Sequence, residues 1–199
     1  MPAGRPRGKA LTHDDVVDAA FRIADREGLD ALTMRRLGRA LGIEAGSLYH
    51  HVPNREALLD DLVSRVRAQI VPPDPVPTDW RDLFEAVFAS YATALAAHPN
   101  LVPLAGRSVD TDPQVNGLVH LVALGLTIDD ATALWHSLHA LVIGFAVLSS
   151  RHVPLDDATI VDDRLRARYA DWRHADLRHA LRLVLQGYEI STVADGCGH

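Results

Sequence analysis

The stretch TMRRLGRALGIEAGSLYHHVPNREALL, residues 33–59, decides how the rest of the chain is read. Thr33 suits a helix N-cap, because its hydroxyl accepts from a free amide of the first turn. MRRLGRAL then sets Leu37 and Leu41 four apart on one face and Arg35, Arg36 and Arg39 largely on the other, which predicts a short amphipathic helix. Gly42 stops it, since a residue without Cβ takes the left-handed conformation at little cost, and Ile43 turns inward. The next helix is expected to begin near Glu44 or Ala45. At 100° per residue Leu48 and Val52 stack on one side, while Gly46 and His50, flanked by Ser47 and Tyr49, face away from the core. Pro53 ends that helix, Asn54 caps another, and Ala57, Leu58 and Leu59 resume an apolar face. Two short helices around a glycine turn, with small, hydroxyl, aromatic and imidazole groups outward, suit insertion into a DNA major groove. By spacing alone, an ordinary helical hairpin in a core stays equally open.

The run LTMRRLGRALGI followed by SLYHHVPNREALL, from Leu32 to Leu59, resembles the DNA-binding domain of the TetR family of transcriptional regulators. It is nearest to the tetracycline-repressor branch, where a Leu-Tyr-aromatic-His-Val run followed by Asn-basic is typical; here His50 replaces the aromatic. The resemblance implies a homodimeric, ligand-responsive DNA-binding protein, usually a repressor. Carried over position by position, it implies that Arg35 grips a guanine and that Ser47 and His50 face base edges, with Ala45 and Gly46 near a thymine methyl. Tyr49, His51 and Arg55 are implied phosphate contacts, and Glu44 either accepts from a cytosine amine or caps the helix. Arg36 and Arg39 read as solvated surface charges.

With 199 residues, 48% hydrophobic and 23% charged, the chain has room for a small DNA-binding unit and one larger core. A formal net charge of -6 runs against nucleic-acid binding until its distribution is read. Residues 1–70 carry 11 Lys+Arg against 10 Asp+Glu, and residues 71–199 carry 9 against 16. The first ten residues are polar and basic, which predicts no secretory leader and a cytoplasmic protein. Cys197 is the only cysteine, so no intramolecular disulfide is expected.

The chain divides into a basic flexible arm (1–10, with Arg5, Arg7 and Lys9), a helix-turn-helix DNA-binding domain with a linking helix (11–70), and a helical regulatory and dimerisation domain (71–199). Thr12 and Asp15 make a capping-box start for a helix carrying Val16, Val17, Ala20, Phe21, Ile23 and Ala24 and ending near Gly28, with Leu29 and Leu32 completing its small core. The linking helix is expected from Arg55 to Ile70. VPPDPVPTD, residues 71–79, has four prolines in nine positions and marks the boundary.

Trp80, Phe84, Val87, Phe88, Tyr91 and Leu95 predict a long helix to Ala97, closed by His98-Pro99-Asn100. VPLAGRSVD reads as irregular. A helix restarts at Thr111 or Asp112 and runs to about Gly125. Thr127 and Asp130 cap ATALWHSLHALVIGFAVLSS, residues 131–150, which holds no Asp, Glu, Lys or Arg. Two histidines and three serines make this a buried helix rather than a membrane span. A polar loop with Asp156, Asp157, Asp162 and Asp163 precedes a last helix, about 175–190, striped with Leu177, Leu181, Val184, Leu185 and Tyr188. Strand alternation is absent, so the fold is expected to be all-α.

ALVIGFAVL within residues 140–148 is apolar on every side. The resemblance implies that the helices near 130–150 and 175–190 pair with their symmetry mates, which would place two reading helices about 34 Å apart on a palindromic duplex. A central core helix of a monomer is the other reading.

Phe84, Phe88, Arg107, Trp135 and His139 are candidate residues of a pocket for an unidentified small-molecule effector; they would equally form an ordinary core. The tetracycline-repressor branch binds a magnesium chelate through a loop histidine followed by Gly-Thr-Arg. The matching stretch here has no histidine, so neither tetracycline nor magnesium is expected, and no cofactor or metal is assigned. His136 and His139 have the spacing of a helical metal pair but no identifiable third ligand. The alternative function is a helical metal-binding module or small enzyme, against which stands the lack of a Gly-x-Ser-x-Gly, a His-Glu-x-x-His or a phosphate-cradling glycine loop.

Overall fold

The computed structural model describes residues 10–107, 112–150 and 174–195. The basic arm, the aspartate-rich loop and Cys197 lie outside the described residues. Those that are described contain helices and no strand, in agreement with an all-α fold.

Helix α1, His13–Glu27, opens on the expected capping box: the Thr12 hydroxyl accepts from the Asp15 amide and the Asp15 carboxylate accepts from the Thr12 amide. It ends at Gly28, whose φ of 87° is open to a residue without Cβ. A 3-10 turn, Leu29–Ala31, leads to α2, Met34–Leu41, capped by Thr33. A second 3-10 helix, Ala45–His50, precedes α3, Arg55–Arg67, capped by Asn54. Thus α3 stops three residues before Ile70, the expected end.

The proline-rich stretch carries no helix, and α4 runs from Trp80 to Ala97, the span its apolar spacing predicts. Beyond His98 the chain does not go irregular at once: Pro99–Leu104 forms a 3-10 helix with Leu101, Val102 and Leu104 buried. Proline fixes φ near the helical value and lacks only an amide that the first turn does not use, which is why Pro99 starts this turn. Then come α5, Asp112–Ala123, α6, Ile128–Ser150, and α7, His174–Asp195.

Helix α4 lies against α6 and α7, α6 also against α5, while α1 meets α2, α3 and the 99–104 helix. The 99–104 helix also touches α3, α4 and α6, so it is the joint between the N-terminal helices and the rest. Helix α6 has the length and composition to cross a membrane, yet Ala131, Leu134, Leu138, Val142 and Phe145 are buried inside the protein. Its Thr127 cap is present, the hydroxyl accepting from the Asp130 amide at 3.1 Å. Across the molecule, Glu85 of α4 is a buried carboxylate, held by Arg182 of α7 at 2.6 and 2.9 Å.

Candidate nucleic-acid interface and effector pocket

The site starts from one glycine. Gly38 of α2 faces the chain that leaves the Gly42 turn so closely that a Cβ would stand 2.9 Å from the Ile43 carbonyl oxygen and 3.2 Å from the Ala45 nitrogen. The Ile43 amide donates to the Gly38 carbonyl at 3.0 Å, and Gly42 takes the left-handed φ of 71° that this reversal needs. Sequence therefore fixes the angle at which the next element leaves α2.

That element, Ala45–His50, is 3-10 and not the α-helix its sequence spacing suggests. Three residues per turn align positions i and i+3. Leu48 is buried, with half-buried Ala45 and His51 in its row; Gly46 with Tyr49, and Ser47 with His50, form the two exposed rows. Leu48 and Val52 are fully buried anchors, and Tyr49 is 52% exposed. Gly46, Ser47, Tyr49 and His50 thus share one outward surface, whereas Ala45 and His51 sit at its edge. Glu44 is exposed at the N-cap position but makes no side-chain capping bond, so capping is not its role.

Around this surface the charges divide. Arg36 is paired with Glu27, and Arg65 reaches Asp14 and Asp18 at 3.1 and 3.0 Å. Arg35 and Arg39 are exposed, and no carboxylate among the described residues pairs with them. Arg55 is exposed at the start of α3, 4.0 Å from Glu56. The free guanidinium of Arg35 and the polar rows of the 3-10 helix form a cationic and hydrogen-bonding face of the kind that reads base edges.

Of the expected pocket residues, four come together. The ring centroids of Phe88 and Trp135 are 5.4 Å apart, those of Phe88 and His139 4.9 Å, and those of Trp135 and His139 4.7 Å; Phe84 meets Phe88 at 6.2 Å. Nδ1 of His139 lies 3.0 Å from the Trp135 carbonyl oxygen, which only accepts, so this nitrogen carries the proton. Burial holds the His139 pKa below its ordinary value, and the positive charge of Arg67 adds to this. His136 is exposed, and among the described residues no group of three or more His, Cys, Asp or Glu is placed to hold a metal.

The fifth expected pocket residue, Arg107, is engaged elsewhere. Its guanidinium lies 2.9 Å from Glu56 and 2.8 Å from Asp60, both on α3. The sequence gave no sign of this, because the partners are 51 and 47 positions away. Equally unforeseen is His98, whose Nδ1 and Nε2 face Asp25 at 2.9 Å and Gln69 at 3.0 Å, with Phe21 edge-on at 4.9 Å. Both contacts join the N-terminal helices to the 99–104 joint. A void of about 10 Å³, room for about one water, lies in the same seam, bordered by α3, α4 and the 99–104 helix and lined in part by Tyr91, Arg67 and Leu101.

A glycine-turned helix pair with an outward polar face, set on a helical body with an aromatic interior, defines a helix-turn-helix protein with a second, larger helical unit. Residues 16–62 match the family model described as bacterial regulatory proteins, tetR family. The HTH-type transcriptional regulator of Saccharopolyspora erythraea is 31% identical over 172 residues, covering 81% of this chain and 72% of that one. The HTH-type transcriptional repressor DrrR1 of Streptomyces coeruleorubidus is 35% identical over 143 residues, covering 68% of this chain; the chain spans about half (53%) of that relative's length. Among solved structures, the TetR family protein ActR of Streptomyces coelicolor in complex with (S)-DNPA matches with a TM-score of 0.74 at 25% identity, over 90% of this chain and 98% of that one. The protein belongs to the TetR family of bacterial regulators.

Proposed function

We propose that the protein is a homodimeric transcriptional regulator, most simply a repressor, that binds a palindromic operator and leaves it when a small molecule binds. The observation that carries this reading is the surface of Gly46, Ser47, Tyr49 and His50, turned outward by the buried pair Leu48 and Val52 beside the unpaired Arg35. In this reading Arg35 takes a guanine edge, Ser47 and His50 read neighbouring bases, and Tyr49 and Arg55 hold phosphates. Ala45, half-buried, lends only its methyl edge, and His51 contributes from the rim of the surface. Glu44, free of capping duty, is placed to accept from a cytosine amine.

Dimerisation is assigned to α6 and α7. Along α6 the exposed Ala133, Ser137, Ala140 and Leu148 and the half-buried Gly144 leave an apolar, small-residue side uncovered, and α7 adds the exposed Leu183. A second copy covering this side by two-fold symmetry presents two reading helices to one duplex. The cluster of Phe84, Phe88, Trp135 and His139 is the proposed effector wall, with the effector bound by ActR as precedent for a small organic ligand. A regulator of this kind works in the cytoplasm and has no catalytic task. A gel-shift titration against the region upstream of its own gene tests the reading: a discrete complex resisting unrelated competitor duplex supports it, and a shift abolished equally by any duplex refutes it.

A further inference from the structure

We propose that the seam between α3, α4 and the 99–104 helix is a second ligand site, built for a compact organic anion with an apolar body. The void there is separate from the aromatic cluster and touches it only through Tyr91. Its walls are aliphatic, with Leu62 and Val66 from α3, Leu95 from α4, and Leu101 and Leu104 from the joint. Arg67 is the single charged residue among the described residues lining it. The Tyr91 oxygen accepts from the Arg67 guanidinium, and a second Arg67 nitrogen donates to the Arg107 carbonyl at 3.3 Å. A dry wall with one guanidinium and one phenol selects an apolar body carrying an anionic head, because only charge repays the desolvation of that cation. Arg67 is felt beyond its own contacts, since it also opposes protonation of His139.

The void as it stands holds about one water, so a ligand must part the seam to enter. The parts it separates are those that Arg107 ties together, three residues beyond Leu104 on one side and at Glu56 and Asp60 of α3 on the other. Asn54, the cap of α3, lies four residues after the reading helix ends at His50. Occupation of the seam therefore tilts the DNA-reading surface relative to the helical body, a consequence that rests on the regulator reading above.

The test uses the full-length protein with benzoate and its uncharged near-isostere nitrobenzene, by titration calorimetry without DNA and then by operator titration. The expected result is one benzoate per chain, bound about tenfold or more tighter than nitrobenzene, the margin of a charged hydrogen bond. Arg67→Met removes that preference and Arg67→Lys restores part of it, while Leu101→Ala, by widening the void, tightens benzoate binding. Lack of benzoate binding, equal binding of nitrobenzene, or benzoate binding unchanged in Arg67→Met overturns the site. The first two comparisons need only the unaltered protein. Operator binding without benzoate binding defeats this site alone; selective, Arg67-dependent benzoate binding without operator binding upholds the site and defeats the regulator reading.

Discussion

The guanidinium of Arg107 and the carboxylate of Asp60 meet at 2.8 Å, joining the end of the 99–104 joint to the helix that follows the DNA-reading surface. With Glu56 as second partner, Arg107 braces α3 on one side while His98 and Asn100 hold α1 on the other. The position of the reading surface relative to the helical body thus depends on a few polar contacts over a small apolar seam. Partly exposed ion pairs of this kind contribute about 1 kcal/mol or less each to folding. Arg107→Ala is expected to leave the denaturation midpoint almost unchanged and to weaken operator binding several-fold. Paired denaturation and operator titrations measure both; equal operator affinity in the variant removes the brace from the account.

Arg35→Ala is expected to cost about 1 to 3 kcal/mol of specific binding and to relax preference at one operator position. His50→Ala is expected to relax a different position, because the two side chains come from different helices. Competition against single-base operator variants reads both effects. A uniform loss across all variants would reassign the residue to a phosphate.

Gly38→Ala brings a methyl within 2.9 Å of a backbone oxygen that has no room to rotate away. Overpacking of this type costs about 1 to 3 kcal/mol. Operator affinity is expected to fall with stability, since the displaced atoms belong to Ile43 and Ala45, which set the angle of the reading helix. An alanine variant as stable and as avid as the parent would show that the crossing has slack.

The His139 pKa is lowered from 6.5 by burial, so the unfolded chain takes up this proton more readily than the folded one. Its contribution to stability is complete above the ordinary histidine value and is lost as the pH falls from about 6.5 toward the lower folded value. His139→Gln is expected to flatten this part of the stability profile between pH 7 and 5. Chemical denaturation across that range checks it, and an unchanged slope in the variant would place the titration elsewhere.

Much of this was legible because the deciding signals were local. The Thr12–Asp15 capping box, the Thr33 and Asn54 caps and the apolar spacing from Trp80 to Leu95 each act within a few residues. The reading helix was placed correctly but given the wrong period: Leu48 and Val52 lie on a common side at 100° per residue, and the shift of Ala45 and His51 to the edge appears only at three residues per turn. The 99–104 helix was missed because Pro99 and Pro103 read as breakers, although proline suits a first turn. Arg107 with Asp60, His98 with Asp25, and Glu85 with Arg182 are separated by 47, 73 and 97 positions, and no periodicity within a helix reports on such pairs.

The central claim is that two copies of the surface carried by Leu48 and Val52 read one duplex together. Selection of bound duplexes from a random pool by the full-length protein tests it most directly. The account predicts an inverted repeat whose half-sites are centred about one helical turn apart, with preference at one position lost in Arg35→Ala. Enrichment of a single unrepeated site, or no enrichment over the starting pool, would contradict it.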